Sequence, residues 1–531
     1  MKTEILLAAV LFTAVLPAAA QTDEAVRAAL YLTGADSPEQ LDDRLLEELD
    51  SFRSRPLEVN RASRARLLDS GLLSAYQVAA LADYRSVSGD ILSFSELELV
   101  DGFGKEAVTA LRPFLSLSSS RVPGSAVKDT FLVSQSAVVR VTLKDVGGKY
   151  RLTAGHFEGG GAWRGRDGTF HALYRTRHGK VLLGDFNVRY GQGLAFWSAF
   201  QFSGLSTPES FSKRAAGITH SWSFSPAGTF RGAAWDFTSG PVQFALFGAL
   251  DGTLGGHAGW MGRNGQVGLT LSRDRVSLDG KYAVRGVEWF GEAVLKGKDP
   301  GGIAGVRFPA GEHFRGAVQV RGLPSAFTGR KYGEYGLAAG AGFRSDDRTV
   351  TVTWTEDAAL LPIPGGDPWR MQVKSTLLAS WKVTDRWLLE SRLASRYRSY
   401  EPSRTDFRAD MTWTRGTWVL KGRLNGLYSG GLGALTYLEG GWKPPGGAGW
   451  LRLTLFSIPS WQARIYAYER DAPGNFTVPA YYGTGCSVMA YGGWKFRWGK
   501  TRIKLYLRGS YVLKKEKPGQ AGLKFQLMAD R

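Results

Sequence analysis

The sequence predicts an all-β transmembrane barrel of roughly 22–26 antiparallel strands, with a small all-α domain before it. Three observations predict it. The first residues are laid out as an export signal, segments of period-two alternation recur from about residue 131 to about 528, and both periodicity and charge change near residue 120.

Lys2 gives a short positive start, Ile5 to Leu16 is an apolar run ended by Pro17, and Ala18-Ala19-Ala20 offers a cleavage site before Gln21. Residues 1–20 therefore read as a secretory signal peptide, too short to span a bilayer. Gln21 stands where a lipoprotein would have Cys. Cys486 is the single cysteine, so no intrachain disulfide and no cysteine-based metal cluster is expected. Beyond the leader no segment has the length and apolarity of a transmembrane helix. A membrane-spanning form must then be a closed barrel, because lipid offers unpaired backbone groups no partner.

Charge divides the chain. Residues 21–120 carry 10 Lys and Arg against 17 Asp and Glu, while the chain from Arg121 onward has a net charge of about +26. The organisation read from this is a signal peptide at 1–20, a helical domain at 21–120 and an outer-membrane barrel at 121–531. The basic excess suggests an anionic partner for the barrel.

Residues 37–115 carry helical signals. Ser37-Pro38-Glu39-Gln40 has a capping Ser and Pro at the first helical position. Leu41, Leu45, Leu46, Leu49 and Phe52 then mark one face. Ser74 with Gln77, and Ser93 with Glu96, have capping-box spacing. Tight turns at Gly71-Leu72-Leu73 and Gly102-Phe103-Gly104 each follow a short helix and precede a longer one.

Val59-Asn60-Arg61-Ala62-Ser63, Leu67-Leu68-Asp69-Ser70-Gly71-Leu72, Ala79 to Arg85, Gly89, Phe94-Ser95-Glu96-Leu97 and Val100-Asp101-Gly102-Phe103-Gly104 together resemble the ComEA-type tandem helix-hairpin-helix domain, over residues 57–115. The resemblance implies DNA binding in which hairpin backbone N–H groups meet a phosphate, as at any helix N-terminus. Carried over, the phosphate contacts are Gly71, Leu72, Gly102, Phe103, Gly104 and Lys105, supported by the basic residues Arg61, Arg64 and Arg66. The first hairpin departs from the pattern, with Leu73 in place of a second glycine, and Asp69 and Asp101 repel phosphate. A compact module for protein contact is the alternative.

In the larger region, Met371, Val373, Ser375, Leu377, Ala379 and Trp381 alternate with Arg370, Gln372, Lys374, Thr376, Ser380 and Lys382, Leu378 being the exception. Trp418, Leu420, Leu424 and Tyr428 alternate with Thr417, Lys421, Arg423 and Asn425. Each segment is about ten residues long, enough for a tilted strand to cross a bilayer, with Trp and Tyr near the ends. A soluble sheet with one apolar face needs a second layer, whereas closing it against lipid disposes of both faces and the edges. A propeller or β-helix would show a repeat motif, and none is seen. The inward face then carries Arg370, Lys374, Arg392, Arg396, Lys421, Arg423, Arg502, Lys504 and Arg508, a lining that concentrates anions. The stretch from Tyr190 through Phe196, Trp197, Phe200 and Phe202 to Arg214 lacks alternation. It reads as a surface loop, with a constriction folded into the lumen as the alternative.

No catalytic constellation emerges. The six His are scattered without metal-ligand spacing, and Ser210-Phe211-Ser212-Lys213 is a short, common pattern. The chain is expected to be no enzyme, with no cofactor and no metal. The leading expectation is an outer-membrane channel or receptor for an anionic substrate, DNA being its most concrete form, with the helical domain in the periplasm of a diderm bacterium. A second is an anchor whose helical domain docks a periplasmic protein, and a weaker third is a barrel lipid hydrolase. Membrane lipid is a partner in every case.

Overall fold

The computed structural model describes residues 22–531, apart from 42, 120–132, 199–203, 329–332, 363–368 and 516. The segment read as a signal peptide, the expected boundary near residue 120, Phe200 and Phe202 lie outside the described residues.

From Val133 to Asp530 every barrel strand pairs antiparallel with its neighbours, and Lys517–Asp530 closes on Val133–Thr142. Gly217–His220 and Phe230–Ser239 both pair with Gly179–Arg189, so they are two halves of one broken strand. Counted so, the barrel has 24 strands. Alternation sets the faces. Along Gly447–Ile458, Leu451, Leu453 and Leu455 are exposed outward while Arg452, Thr454 and Phe456 are buried inside. An exposed apolar exterior on a closed barrel is a lipid-facing surface.

The barrel's two chain ends lie at one rim, where the connections are short, such as Gly155-His156 and Gly416-Thr417. The other rim bears the long connections 190–216 and 459–482. Short turns mark the periplasmic side. Trp387 lies beside Trp413, and Trp418 beside Trp442, with ring centroids 6.4 and 6.1 Å apart, at this short-turn rim. They form part of an interfacial aromatic girdle.

The helical domain has its own core, in which Leu49, Leu67, Leu81, Ile91, Leu97, Leu111 and Phe114 are almost wholly buried. Its helices are Thr22–Thr33, Asp43–Ser54, Arg64–Asp69, Ala75–Val87, Phe94–Leu97 and Gly104–Leu111. The capping box at Ser74 forms, with Ser74 Oγ accepting from Gln77 N at 3.2 Å and Gln77 Oε1 from Ser74 N at 2.9 Å. Gln77 Nε2 then donates to Gly102 O at 2.8 Å and ties one turn to the other. Asn60 cross-links the domain from inside, donating to Ile91 O and accepting from Ile91 N.

Two local expectations are corrected. Ser37 makes no side-chain cap; Pro38–Gln40 is a single 3-10 turn, and Gln40 Oε1 instead accepts from Asp36 N. The described residues of the stretch, 190–198 and 204–216, are no surface loop. They fold into the lumen, where the Glu292 carboxylate accepts from the backbone N–H groups of Gln192, Leu194 and Ala195 at 2.6–3.0 Å. A buried carboxylate collects donors that an irregular segment leaves unpaired.

Candidate functional site

The lumen is occupied by the chain itself. The helical domain closes the periplasmic mouth, and its first two helices with the turn between them reach into the barrel. Asp36 meets Arg392 at 3.0 Å, and Glu39 meets Arg423 at 2.6 Å and Arg408 at 3.4 Å, all on mid-strand residues. Glu47 pairs with Lys149 at 2.5 Å. Nearer the periplasmic rim, Asp69 holds Lys180 and Arg175, and Glu106 lies 2.8 Å from Arg344. From the far side the two long connections meet the plug. Tyr468 N donates to Glu39 Oε1 at 3.1 Å, and Thr207 Oγ1 donates to Gly34 O at 3.0 Å. Gly34 has φ +69°, and a Cβ there would sit 2.7 Å from the Ser210 backbone, so only glycine allows this approach.

Part of the charge division of the sequence is thereby accounted for. The acidic domain supplies partners for the basic barrel. Burial alone would raise the Glu39 carboxyl, but the Arg423 and Arg408 guanidiniums outweigh it and hold that carboxyl well below the usual carboxylate range. Asp69 behaves alike: burial raises it, while Lys180 and Arg175 pull it further down.

Seven of the nine predicted lumen cations already have acidic partners. Arg392 and Arg423 are held by the plug, and Asp410 takes Arg423 at 2.7 Å and Lys421 at 3.7 Å. Lys374 lies 3.9 Å from Asp357, Arg396 3.8 Å from Glu401 and Lys504 3.3 Å from Asp530, while Arg508 pairs with Glu469. Arg370 lies over the Tyr400 ring at 4.7 Å, and Arg502 is exposed at its strand's start, beside a small cavity shared with Asp50 and Asp530. The inward basic lining is therefore largely neutralised. Its partners sit on neighbouring strands, on the plug and on an infolded connection, none of which a period of two reveals.

The two glycine turns have different surroundings. Gly71, Gly102 and Gly104 all have positive φ. The first turn faces the barrel: a Cβ on Gly71 would touch Ala216, Leu72 is buried in the domain core, Arg64 Nη2 donates to Met261 O at 3.2 Å, and Arg66 lies 3.1 Å from Asp69. The second turn faces outward. Gly102, Gly104 and Lys105 are exposed, Phe103 anchors the turn in the core, and space is open around Gly104. Arg61 is exposed on the domain surface.

Ser210 and Lys213 do not meet as a nucleophile and base. Ser210 Oγ donates to Thr207 O at 2.7 Å, and Lys213 lies over the Trp197 ring at 5.1 Å. Between plug and wall is a cavity of about 510 Å³, lined among others by Arg55, Asp69, Glu158, Arg175 and His220. Glu158, His171 and His220 converge on one edge of it. Three separate strands bring them together, so sequence spacing gives no sign of the cluster.

A closed 24-strand barrel with a lipid-facing exterior and its own helical domain in the periplasmic mouth defines an outer-membrane β-barrel protein. No protein-family model and no curated protein matches the chain. Among solved structures it is similar to Pseudomonas aeruginosa OccK5 (OpdH), with 9% identity, a TM-score of 0.31, and coverage of 75% of this chain and 96% of that one. Pseudomonas aeruginosa OccK2 (OpdF) in complex with glucuronate gives 11%, 0.33, 75% and 97%. The E. coli P pilus tip assembly intermediate PapC-PapD-PapK-PapG gives 8%, 0.40, 77% and 62%. At such identities and scores the barrel rests on its own strand pairing.

Proposed function

We propose that this chain is a non-enzymatic outer-membrane passage for an anionic substrate, held shut by its own N-terminal domain. One observation carries the reading. Asp36 on Arg392, and Glu39 on Arg408 and Arg423, occupy with carboxylates the mid-lumen cations that a substrate's negative groups would meet. Displacing the plug removes the carboxylate held by Arg392 and leaves Arg408 and Arg423 to share Asp410, so an entering anion meets more cations than carboxylates there. In planar bilayers the native protein should stay closed. The double variant Asp36→Asn, Glu39→Gln should open far more often and conduct with anion preference. Cation preference in the open state would overturn the reading.

DNA is the finer form of this proposal. It rests on the helix-hairpin-helix resemblance and on the outward second turn, Gly102-Phe103-Gly104-Lys105. The first turn, packed on the wall, is left out of it. The full protein in detergent should bind duplex DNA with an affinity that falls steeply with salt, and Lys105→Glu should weaken it about tenfold at low salt. A second reading, an anchor for a periplasmic protein, is favoured by Val87, Leu92 and Leu99, which are 87%, 62% and 83% exposed on the helical domain. Under that reading Lys105→Glu leaves partner capture unchanged and Leu99→Asp removes it.

A further inference from the structure

The cluster at Glu158, His171 and His220 has the chemistry and spacing of a metal centre. Glu158 Oε1 lies 3.4 Å from His171 Nε2 and 3.4 Å from His220 Nε2, and one donor atom from each residue falls within 4.8 Å of the others. A tetrahedral ion with bonds of about 2.1 Å holds its ligand atoms about 3.4 Å apart. The same distance is long for a hydrogen bond, and the atoms make none: Glu158 Oε1 and both ring nitrogens of His171 are buried without a hydrogen-bond partner. Such orphaned atoms call for a ligand, since buried polar groups are otherwise paired.

The surroundings are built to hold the three groups in place. Glu158 lies on Phe157–Arg164 and His171 on the adjacent Asp167–Arg175, with Gly160 directly opposite His171. A Cβ on Gly160 would come within 2.7 Å of the His171 ring, so the glycine makes room for it. His220 ends the first half of the broken strand, and its ring lies 4.4 Å from that of His171. Arg175 Nη1 donates to the other carboxylate oxygen, Oε2, at 2.8 Å, which turns Oε1 toward the imidazoles. The His171 side chain is fully buried, whereas His220 is 22% exposed toward the cavity, leaving a side from which water or a cargo ligand can reach an ion.

We infer that Glu158, His171 and His220 form a binding site for a divalent transition metal of the zinc type, with an open coordination position on the lumen cavity. Two imidazoles and one carboxylate select borderline ions over Mg²⁺ or Ca²⁺, which prefer oxygen donors. Arg175 cancels part of the Glu158 charge, which weakens the hold on a cation relative to an unpaired carboxylate. The site does not depend on the identity of the transported anion.

The test uses the full-length protein in detergent, stripped with chelator and titrated with Co²⁺ and Zn²⁺. One equivalent of Co²⁺ should bind, with the intense visible absorption of a four-coordinate ion, and Zn²⁺ should displace it. His171→Gln and His220→Ala should each weaken binding at least tenfold, while His257→Ala, outside the cluster and stacked on Tyr190, should leave it unchanged. Heat-modifiable gel mobility checks that each variant has folded. Failure of the native protein to bind either ion, or equal binding by folded His171→Gln and His220→Ala, overturns the site. Neither result bears on anion conductance.

Discussion

Glu39→Gln is expected to loosen the plug by about 3 kcal/mol, the low end of the cost of removing one partner from a buried ion pair. Glu39 contacts two guanidiniums, of Arg423 and Arg408, and Arg423 is 4% exposed. The low end applies because Asp410 stays in contact with both arginines. The substitution keeps an acceptor for Tyr468 N, so the effect isolates charge from shape. About 3 kcal/mol changes the docked-to-undocked ratio roughly a hundredfold. Limited proteolysis of the helical domain in detergent should accelerate by about that factor, provided reclosing outpaces cleavage. Equal digestion of variant and native protein would show that the mid-lumen pairs do not hold the plug. The pH dependence follows from the same pairs. The Glu39 carboxyl titrates below its ordinary range in the docked state, so its contribution is full at neutral pH and is lost as pH falls through that lowered value. Mild acid should therefore leave the native plug docked.

How much of this could be read from the sequence depends on the range of the interaction. Strand faces are local: Met371, Leu377 and Trp381 alternate with Gln372 and Lys374, and the structure exposes the first set outward and turns the second inward. The glycine turns are local too, and Gly71, Gly102 and Gly104 adopt the left-handed conformation that such turns require. The plug is not local. Asp36 lies 356 positions from Arg392, and Glu39 lies 384 from Arg423. No periodicity links them; only the opposite net charges of the two regions hint at complementarity, and that hint points equally to an external anion. The helix Thr22–Thr33 goes unpredicted although its end is marked locally, by Gly34 in the left-handed conformation. The metal-type cluster is hidden for the same reason as the plug. Its ligands come from three strands whose register, and one strand break, had to be known first.

The orientation of the barrel wall carries the other large effect. Leu453→Arg places a charge on the outward face at mid-strand, where Leu453 is 49% exposed between Leu451 and Leu455. If lipid covers that face, the cost is about 2–4 kcal/mol near the bilayer midplane. The adjoining position already holds an arginine without penalty. Arg452 is buried in the lumen, paired with Glu439 and placed over the Tyr437 ring at 4.0 Å. One residue along a strand thus separates a tolerated guanidinium from an expelled one, because side chains alternate between faces. Folding of the variant into lipid vesicles should show a urea midpoint well below that of the native protein, with Leu453→Phe close to native. A Leu453→Arg barrel that assembles as well as the native one would mean that this face meets water or protein rather than lipid, and the inward reading of every basic stripe would fail with it.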